Sequence, residues 1–405
     1  MSSLIKNNEL PVRTTPFPPW PFFEEEERAA VAGVLKSGNV NYWTGEEGRL
    51  FEKEFAASTG VKYAVAVMNG TVALESALMA LNIGEGDEVI VTPRSYIASA
   101  SCAVMRRARP VFADVDKNSQ NITAETIEKV ITKRTRAIIA VHLAGWPCEM
   151  EDITALARKH GLSVIEDCAQ ASGAFYKGRP VGSFGDAAAF SFCQDKIMTT
   201  GGEGGMFVTK SKYLWSKVWS YKDHGKNYDA VYSNNDIKPG PSFKWLHESF
   251  GTNWRMTEIQ AAIGRIQLRK LPEWIEKRRR NADILTKGFL TIPSLRVAVP
   301  PEYLSHAFYK YYVFINPKML KKGWDRERVI VSINEQGIPC FTGSCSEIYL
   351  EKAFDADKLR PKNRLPVAEE LGETAIMFLV HPTLSEDDMQ EMVKGVAMVM
   401  NKAAK

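Results

Sequence analysis

The chain has 405 residues, 25% of them charged, and a formal net charge of +4. That length buries a substantial core and suits one large and one smaller domain. A charge so small for this size gives no basis for nucleic acid or a membrane surface as partner, and no apolar run approaches the roughly 20 residues that span a bilayer.

The N-terminal stretch Ser2 to Phe23 is proline-rich and aperiodic. It reads as an extended arm, and it lacks the basic start and apolar core of a secretory signal. The six cysteines, Cys102, Cys148, Cys168, Cys193, Cys340 and Cys345, show neither a C-x-x-C pair nor zinc-ligand spacing. Reduced thiols in a soluble cytoplasmic protein are the simplest account.

Glu24 to Lys36 is predicted helical, with acidic residues in its first turn where they suit the helix dipole. Ser37 to Gly48 is a loop, and Arg49 to Ser58 a second helix. Strand and helix signals then alternate. Predicted strands are Tyr63 to Val67, Glu88 to Val91, Pro110 to Ala113, Ala137 to Val141 and Ser163 to Glu166. Predicted helices between and after them are Val72 to Leu81, Ala98 to Arg107, Ala124 to Ile131 and Glu149 to His160. This alternation argues for an α/β domain whose largely parallel sheet is covered on both faces. In such sheets ligands bind beyond the carboxyl ends of the strands.

Ala189 to Phe192 and Met206 to Thr209 are strand-like runs on either side of a polar loop and the glycine-rich turn Gly201 to Gly205. Tyr213 to Tyr221 is helical, and Asn227 to Ser249 is a long irregular stretch suited to a substrate loop. Two helices are expected at Arg255 to Leu268 and Pro272 to Leu290, with Pro272 at a helix start, where its missing N–H costs little. From about Leu295 the pattern changes to strands at Phe308 to Ile315 and Ala375 to Leu379, with helices at Arg326 to Gln336 and Glu386 to Met400. That predicts a separate small α+β domain.

Five features at strand ends carry chemistry. The polar loop after Phe192 holds a lysine, Lys196, which is either a solvated charge or, if desolvated, a nucleophilic amine able to form a Schiff base. Asn69-Gly70-Thr71, between a strand and a helix, is either a plain turn or a phosphate cradle of backbone N–H groups. Glu166-Asp167 ends a buried strand, where an acid needs a partner, either a structural one or a protonated ring nitrogen. Gln170 could then reach a neighbouring ring oxygen. Tyr96 either packs in the core or stacks on a flat ring, and Ser191 offers a hydroxyl to a phosphate. A phosphate site, a stacking ring, a carboxylate and a lysine together are what pyridoxal 5′-phosphate requires. Asp167 and Lys196 stand 29 positions apart, room for one strand between them.

The motifs NGTVALESALMAL (Asn69 to Leu81), EDCAQASGA (Glu166 to Ala174), GDAAAFSF through GGEGG (Gly185 to Gly205) and GTNWRMTEIQAAIG (Gly251 to Gly264) resemble the DegT/DnrJ/EryC/StrS sugar aminotransferases. The resemblance runs from about Pro18 to the C-terminus. It implies the aspartate-aminotransferase fold of type I, with residues 1–270 as arm and large cofactor-binding domain and 271–405 as linking helix and small C-terminal domain. It further implies that Lys196 binds pyridoxal phosphate, Asp167 its ring nitrogen and Gln170 its ring hydroxyl. Tyr96 would stack on the ring, and Gly70, Thr71 and Ser191 would hold the phosphate. Asn253 would reach the phosphate in the neighbouring subunit of a homodimer, with His224 and Arg255 near the substrate. L-Glutamate is the family's usual donor. The acceptor is a keto-sugar, nucleotide-linked or a free acid such as an 8-keto octulosonate bound for lipopolysaccharide. Members with histidine in place of the lysine act as dehydratases, so Lys196 favours transamination. A dehydratase and a non-catalytic cofactor-binding regulator are the alternatives.

Overall fold

The computed structural model describes residues 10–232, 246–355 and 359–405. Seven strands build the main sheet: β1 (Tyr63–Val67), β2 (Glu88–Val91), β3 (Arg109–Phe112), β4 (Thr135–Val141), β5 (Ser163–Asp167), and, after the two-residue strands β6 (Phe175–Tyr176) and β7 (Arg179–Pro180), β8 (Ala187–Ser191) and β9 (Gly205–Thr209). Their spatial order is β1-β9-β8-β5-β4-β2-β3. β9 alone runs antiparallel to its neighbours β1 and β8; the other pairs are parallel.

Side chains alternate across the sheet, and both faces are buried. Ala137, Ile139 and Val141 enter one core, and Ile138 and Ala140 the other. The carboxyl ends of the parallel strands share one edge with the start of β9. There Ser191 and Val67 both pair with Gly205. A Cβ on Gly205 would overlap the Asn69 carbonyl, so only glycine lets β9 lie this close to the β1 turn.

That turn is the start of a helix, Gly70–Ala80, two residues earlier than expected. Asn69 is its N-cap, and its side chain accepts the Val72 N–H at 3.0 Å. Another predicted boundary moves for a tertiary reason. The helix expected from Arg49 begins at Glu47, because the Glu258 carboxylate accepts the Glu47 and Gly48 N–H groups at 2.6 and 3.1 Å.

The two helices expected on either side of Pro272 are one helix, Glu258–Phe289, with the proline inside. Its own start is capped by Thr257, and Arg255 lies outside it. An interior proline costs about 3 kcal/mol, and packing on both sides offsets this. Before the proline, Arg265 pairs with Glu47 and Glu54, and Lys270 with Glu24 and Glu27. After it, Ala282, Leu285 and Phe289 enter a core shared with the helix Glu386–Ala403.

Beyond this helix come β10 (Leu295–Arg296), β11 (Leu304–Ser305), β12 (Tyr311–Ile315), β13 (Cys340–Phe341) and β14 (Ala375–Phe378). A second sheet, ordered β10-β12-β14-β13, is antiparallel throughout. The helices Arg326–Glu335 and Glu386–Ala403 bury their apolar sides against it. The strand expected from Phe308 starts at Tyr311, since Phe308 takes φ 48°, outside the strand region. β11 joins β6 and β7 in a small third sheet. Within the stretch read as a substrate loop, Tyr228–Tyr232 is a helical turn, and residues 233–245 lie outside the described residues. So do the first residues of the arm, up to residue 9. Among the described residues no helix is long and apolar enough to cross a membrane.

Candidate active site

A cavity of about 480 Å³ opens at the shared edge of the main sheet. Seven residues singled out in the sequence line it: Gly70, Thr71, Tyr96, Asp167, Gln170, Ser191 and Lys196. They arrive on the ends of different strands, which is why they converge there.

Asp167 ends β5 and is 4% exposed. Its Oδ2 accepts the Ser99 hydroxyl at 2.7 Å, and its Oδ1 accepts the Ala169 N–H at 3.1 Å. Burial raises its pKa above the ordinary aspartate value, against the opposing pull of these two bonds and the nearby Lys196 charge. A cation placed in the cavity against this carboxylate would relieve the desolvation.

The neighbouring Glu166 points to the other side of the strand and is fully buried. It accepts His142 Nε2–H at 3.1 Å and the N–H groups of Gly182, Phe184 and Gly185 at 2.7–2.8 Å. Burial alone would raise its pKa, but the His142 contact and the Gly185 and Gly182 amides outweigh that and hold it below the usual glutamate value. His142 Nδ1 accepts the Cys148 N–H at 2.9 Å, which fixes the tautomer. His142, Glu166 and Cys168 bring metal-ligand atom types together, yet both imidazole nitrogens and the carboxylate are already bonded within the fold. Of the two acids in the motif, one is therefore bound into the scaffold and the other faces the cavity.

Gln170 Oε1 accepts the Ala144 N–H at 2.8 Å, leaving its NH₂ for the cavity. Gly70 packs against the end of β8 so closely that an added Cβ would stand 2.7 Å from Ser191 Cβ. The cradle between the helix start at Gly70 and Ser191 thus depends on the missing side chain. Tyr96 stands at the mouth, 70% exposed. Lys196 is half-buried, with Nζ 4.8 Å from the centroid of the Tyr309 ring. Tyr309 hydrogen-bonds Asp195, and both line the cavity.

Asn253, His224 and Arg255 do not line the cavity. Asn253 is exposed and bridges Asp223. Arg255 is ion-paired with the buried Asp223. His224 donates its backbone N–H to the Thr252 carbonyl at 2.9 Å, and its own carbonyl accepts the His247 ring N–H at 2.8 Å.

Sequence reasoning missed Ser99. It is the second residue of the helix Ala98–Met105, and its hydroxyl meets that of Ser95, in the loop before the helix, at 2.8 Å. Because the Ser99 proton goes to Asp167, Ser95 donates to Ser99, and the carboxylate is held by a chain of two hydroxyls. The only signal in the sequence was a serine four positions from another near Tyr96, which is common.

The DegT/DnrJ/EryC1/StrS aminotransferase family model matches residues 21–397. The chain belongs to this family. It is 37% identical to the GDP-perosamine synthase of Escherichia coli O157:H7, covering 84% of this chain and 86% of that protein. It is 36% identical to the UDP-N-acetyl-3-dehydro-alpha-D-glucosamine 3-aminotransferase of Acidithiobacillus ferrooxidans, covering 90% of each. The crystal structure of the aminotransferase from Psychrobacter cryohalolentis superposes with a TM-score of 0.93 at 56% identity, covering 96% of this chain and all of that one. The protein is thus a pyridoxal phosphate-dependent sugar aminotransferase with the type I fold. The residues present fit that cofactor: a desolvated carboxylate for a ring cation, an amide NH₂, a lysine, and a cradle that a Cβ on Gly70 would fill.

Replacing Ser99 with alanine leaves Asp167 Oδ2 without its hydroxyl donor. A hydrogen bond to a charged group is worth about 1.5–3 kcal/mol, so the cofactor-free protein should lose about that much stability at pH 7. Urea melts measure this, and unchanged stability would mean that the Ser99 hydroxyl does not hold the carboxylate.

Proposed function

We propose that this aminotransferase moves the amino group of L-glutamate to a keto-sugar during bacterial polysaccharide, lipopolysaccharide or natural-product sugar synthesis, as a cytoplasmic homodimer. The observation that carries the residue roles is the convergence of Lys196, Asp167, Gln170 and the Gly70–Ser191 cradle on one cavity. The bound cofactor supplies an electron sink for the substrate Cα. Lys196 Nζ would anchor the cofactor and would move the proton at the substrate Cα. The Asp167 carboxylate would keep a proton on the ring nitrogen. The Gln170 NH₂ would donate to the ring oxygen, and Tyr96 would cover the ring face at the mouth. Gly70 and Thr71 N–H groups with the Ser191 hydroxyl bind the phosphate at the start of the helix. Asn253, which is exposed, serves the phosphate site of a second copy, with His224 and Arg255 near the acceptor. Residues 1–270 form the cofactor-binding part and 271–405 the smaller part.

The acceptor is nucleotide-linked in the names of the two relatives, which supports that class here. A free sugar acid such as an 8-keto octulosonate is the competing acceptor. Lys196 argues against a dehydratase, and with Asp167 intact it argues against a non-catalytic regulator.

Adding L-glutamate to the cofactor-loaded protein should shift its visible absorbance toward the ultraviolet, and a keto-sugar should restore it. A panel of nucleotide-linked and free keto-sugars then identifies the acceptor class by which one restores the band. Turnover of keto-sugar without any amino donor would replace this reading with elimination. A band unmoved by glutamate would exclude that donor.

A further inference from the structure

The N-terminal arm has no part in the assignments above, yet it reaches the lysine loop. Residues 10–23 run along the second sheet's layer and are tied down in stages. Arg13 donates its backbone N–H to the Gln336 carbonyl at 3.1 Å, and its guanidinium pairs with Asp388 and Glu391 at 2.7 and 2.6 Å. The same guanidinium lies 4.0 Å over the Phe17 ring, which packs on the core beneath. Further on, the Pro19 carbonyl accepts the Thr383 hydroxyl at 3.1 Å.

Trp20 is the next anchor. Its ring meets Trp274 edge-on at 5.1 Å, lies nearly parallel to His381 at 6.1 Å, and has the buried Arg278 at 5.2 Å. Its indole N–H then donates to the backbone carbonyl of Lys196 at 2.9 Å. The rest of the loop is fixed elsewhere. The Lys196 N–H donates to the Cys193 carbonyl, the Thr199 N–H to Gln267 Oε1, and the Thr200 N–H to the Phe192 carbonyl. Trp20 therefore grips the loop at the lysine itself, from an arm anchored to a different sheet.

We propose that Trp20 is a positioning residue for Lys196, and that the arm carries the placement of the second sheet's layer to the lysine. The inference rests on the role given to Lys196 above. A lysine side chain has four rotatable bonds, so the aim of Nζ depends on a fixed backbone. An indole N–H is a donor only, well suited to hold one carbonyl. An ångström of misplacement at a reacting group lowers rate far more than it lowers binding.

The test is Trp20→Phe, which keeps an aromatic ring for Trp274 and His381 and removes the donor. The expected result is a roughly tenfold fall in kcat per cofactor-loaded site, with KM for donor and acceptor changed less than about twofold. The visible circular dichroism of the bound cofactor should change in intensity. In cofactor-free protein, hydrogen–deuterium exchange over residues 193–199 should rise several-fold, and this readout does not depend on catalysis. Wild-type exchange with wild-type kcat would overturn the proposal. So would a fall in activity matched by loss of folded protein alone. Thr383→Val, which frees the arm at Pro19 and leaves the indole in place, should move the same readouts in the same direction by a smaller amount. If Trp20→Phe does not fold, an unchanged Thr383→Val overturns the proposal. If Lys196→Ala keeps turnover while the Trp20→Phe loop loosens, the role of Lys196 has failed and the grip of Trp20 has not.

Discussion

Lys196→Ala lowers kcat by at least about 10⁴-fold, the upper end of what one positioned proton-transfer group contributes. In the role proposed for Lys196, two things are lost together: the covalent anchor and the base that would move the substrate proton. Neither Asp195 nor Tyr309, ionisable groups that line the cavity with it, replaces it. Each is committed to the other by a hydrogen bond, and neither is an amine. The substitution removes a half-buried side chain from a loop held through its backbone, so the fold should survive. The measurements are single-turnover kinetics, the visible absorbance of the loaded protein and a thermal melt. Multiple turnovers at a rate near wild type in a folded Lys196→Ala protein would sink the assignment.

Asp167→Asn is the second large effect, and it separates catalysis from stability. Asparagine keeps the shape, and the Ser99 hydroxyl can rotate to serve either terminal atom. In the proposed role the loss is the negative charge that would face the ring nitrogen, and removing one preorganised electrostatic partner costs roughly 10²–10³-fold in kcat. Stability should move the other way in the cofactor-free protein. Burial raises the folded-state pKa of Asp167 above its unfolded value near about 3.9. Between those two values the folded protein holds more protons, so its stability falls as pH rises through that window. At neutral pH the ionised carboxylate therefore opposes folding, and an amide does not. Cofactor-free Asp167→Asn should be as stable as the wild type or more so at pH 7, and the difference should vanish on acidification below the ordinary aspartate range. Urea melts at pH 7 and pH 3.5 check this. A variant destabilised at pH 7 would mean that the charge is satisfied within the protein and does not await a cation.

The architecture was legible because it is written in local periodicity. Short β-branched and alanine-rich runs separated by amphipathic stretches specify strands and helices in alternation, and alternation of that kind leaves few ways to build a sheet. The lining of the cavity was legible for a related reason. In such a sheet ligands bind beyond the strand ends, and Asp167, Ser191 and Gly70, which line the cavity, could be found by searching the residues at the end of each strand. Tyr96 and Gln170 were found in the same way, one short loop further on.

Chain chemistry alone thus determined the strands of the main sheet, the turn at Asn69-Gly70-Thr71 and seven residues that share the cavity. Tertiary structure decided the features that depend on partners far along the chain. The reversed strand β9 is set by its pairing with both β1 and β8, not by its own composition. The helix through Pro272 persists because two separate layers grip its halves, an energy no local propensity contains. Which acid of Glu166-Asp167 faces the cavity was decided by three loop amides and His142, which claim Glu166. Ser99 reaches Asp167 across 68 positions and Trp20 reaches Lys196 across 176. A single hydrogen bond over such a separation leaves no trace in periodicity. It exists because the packing of the sheet and the arm brings donor and acceptor together and keeps water from taking the donor's place.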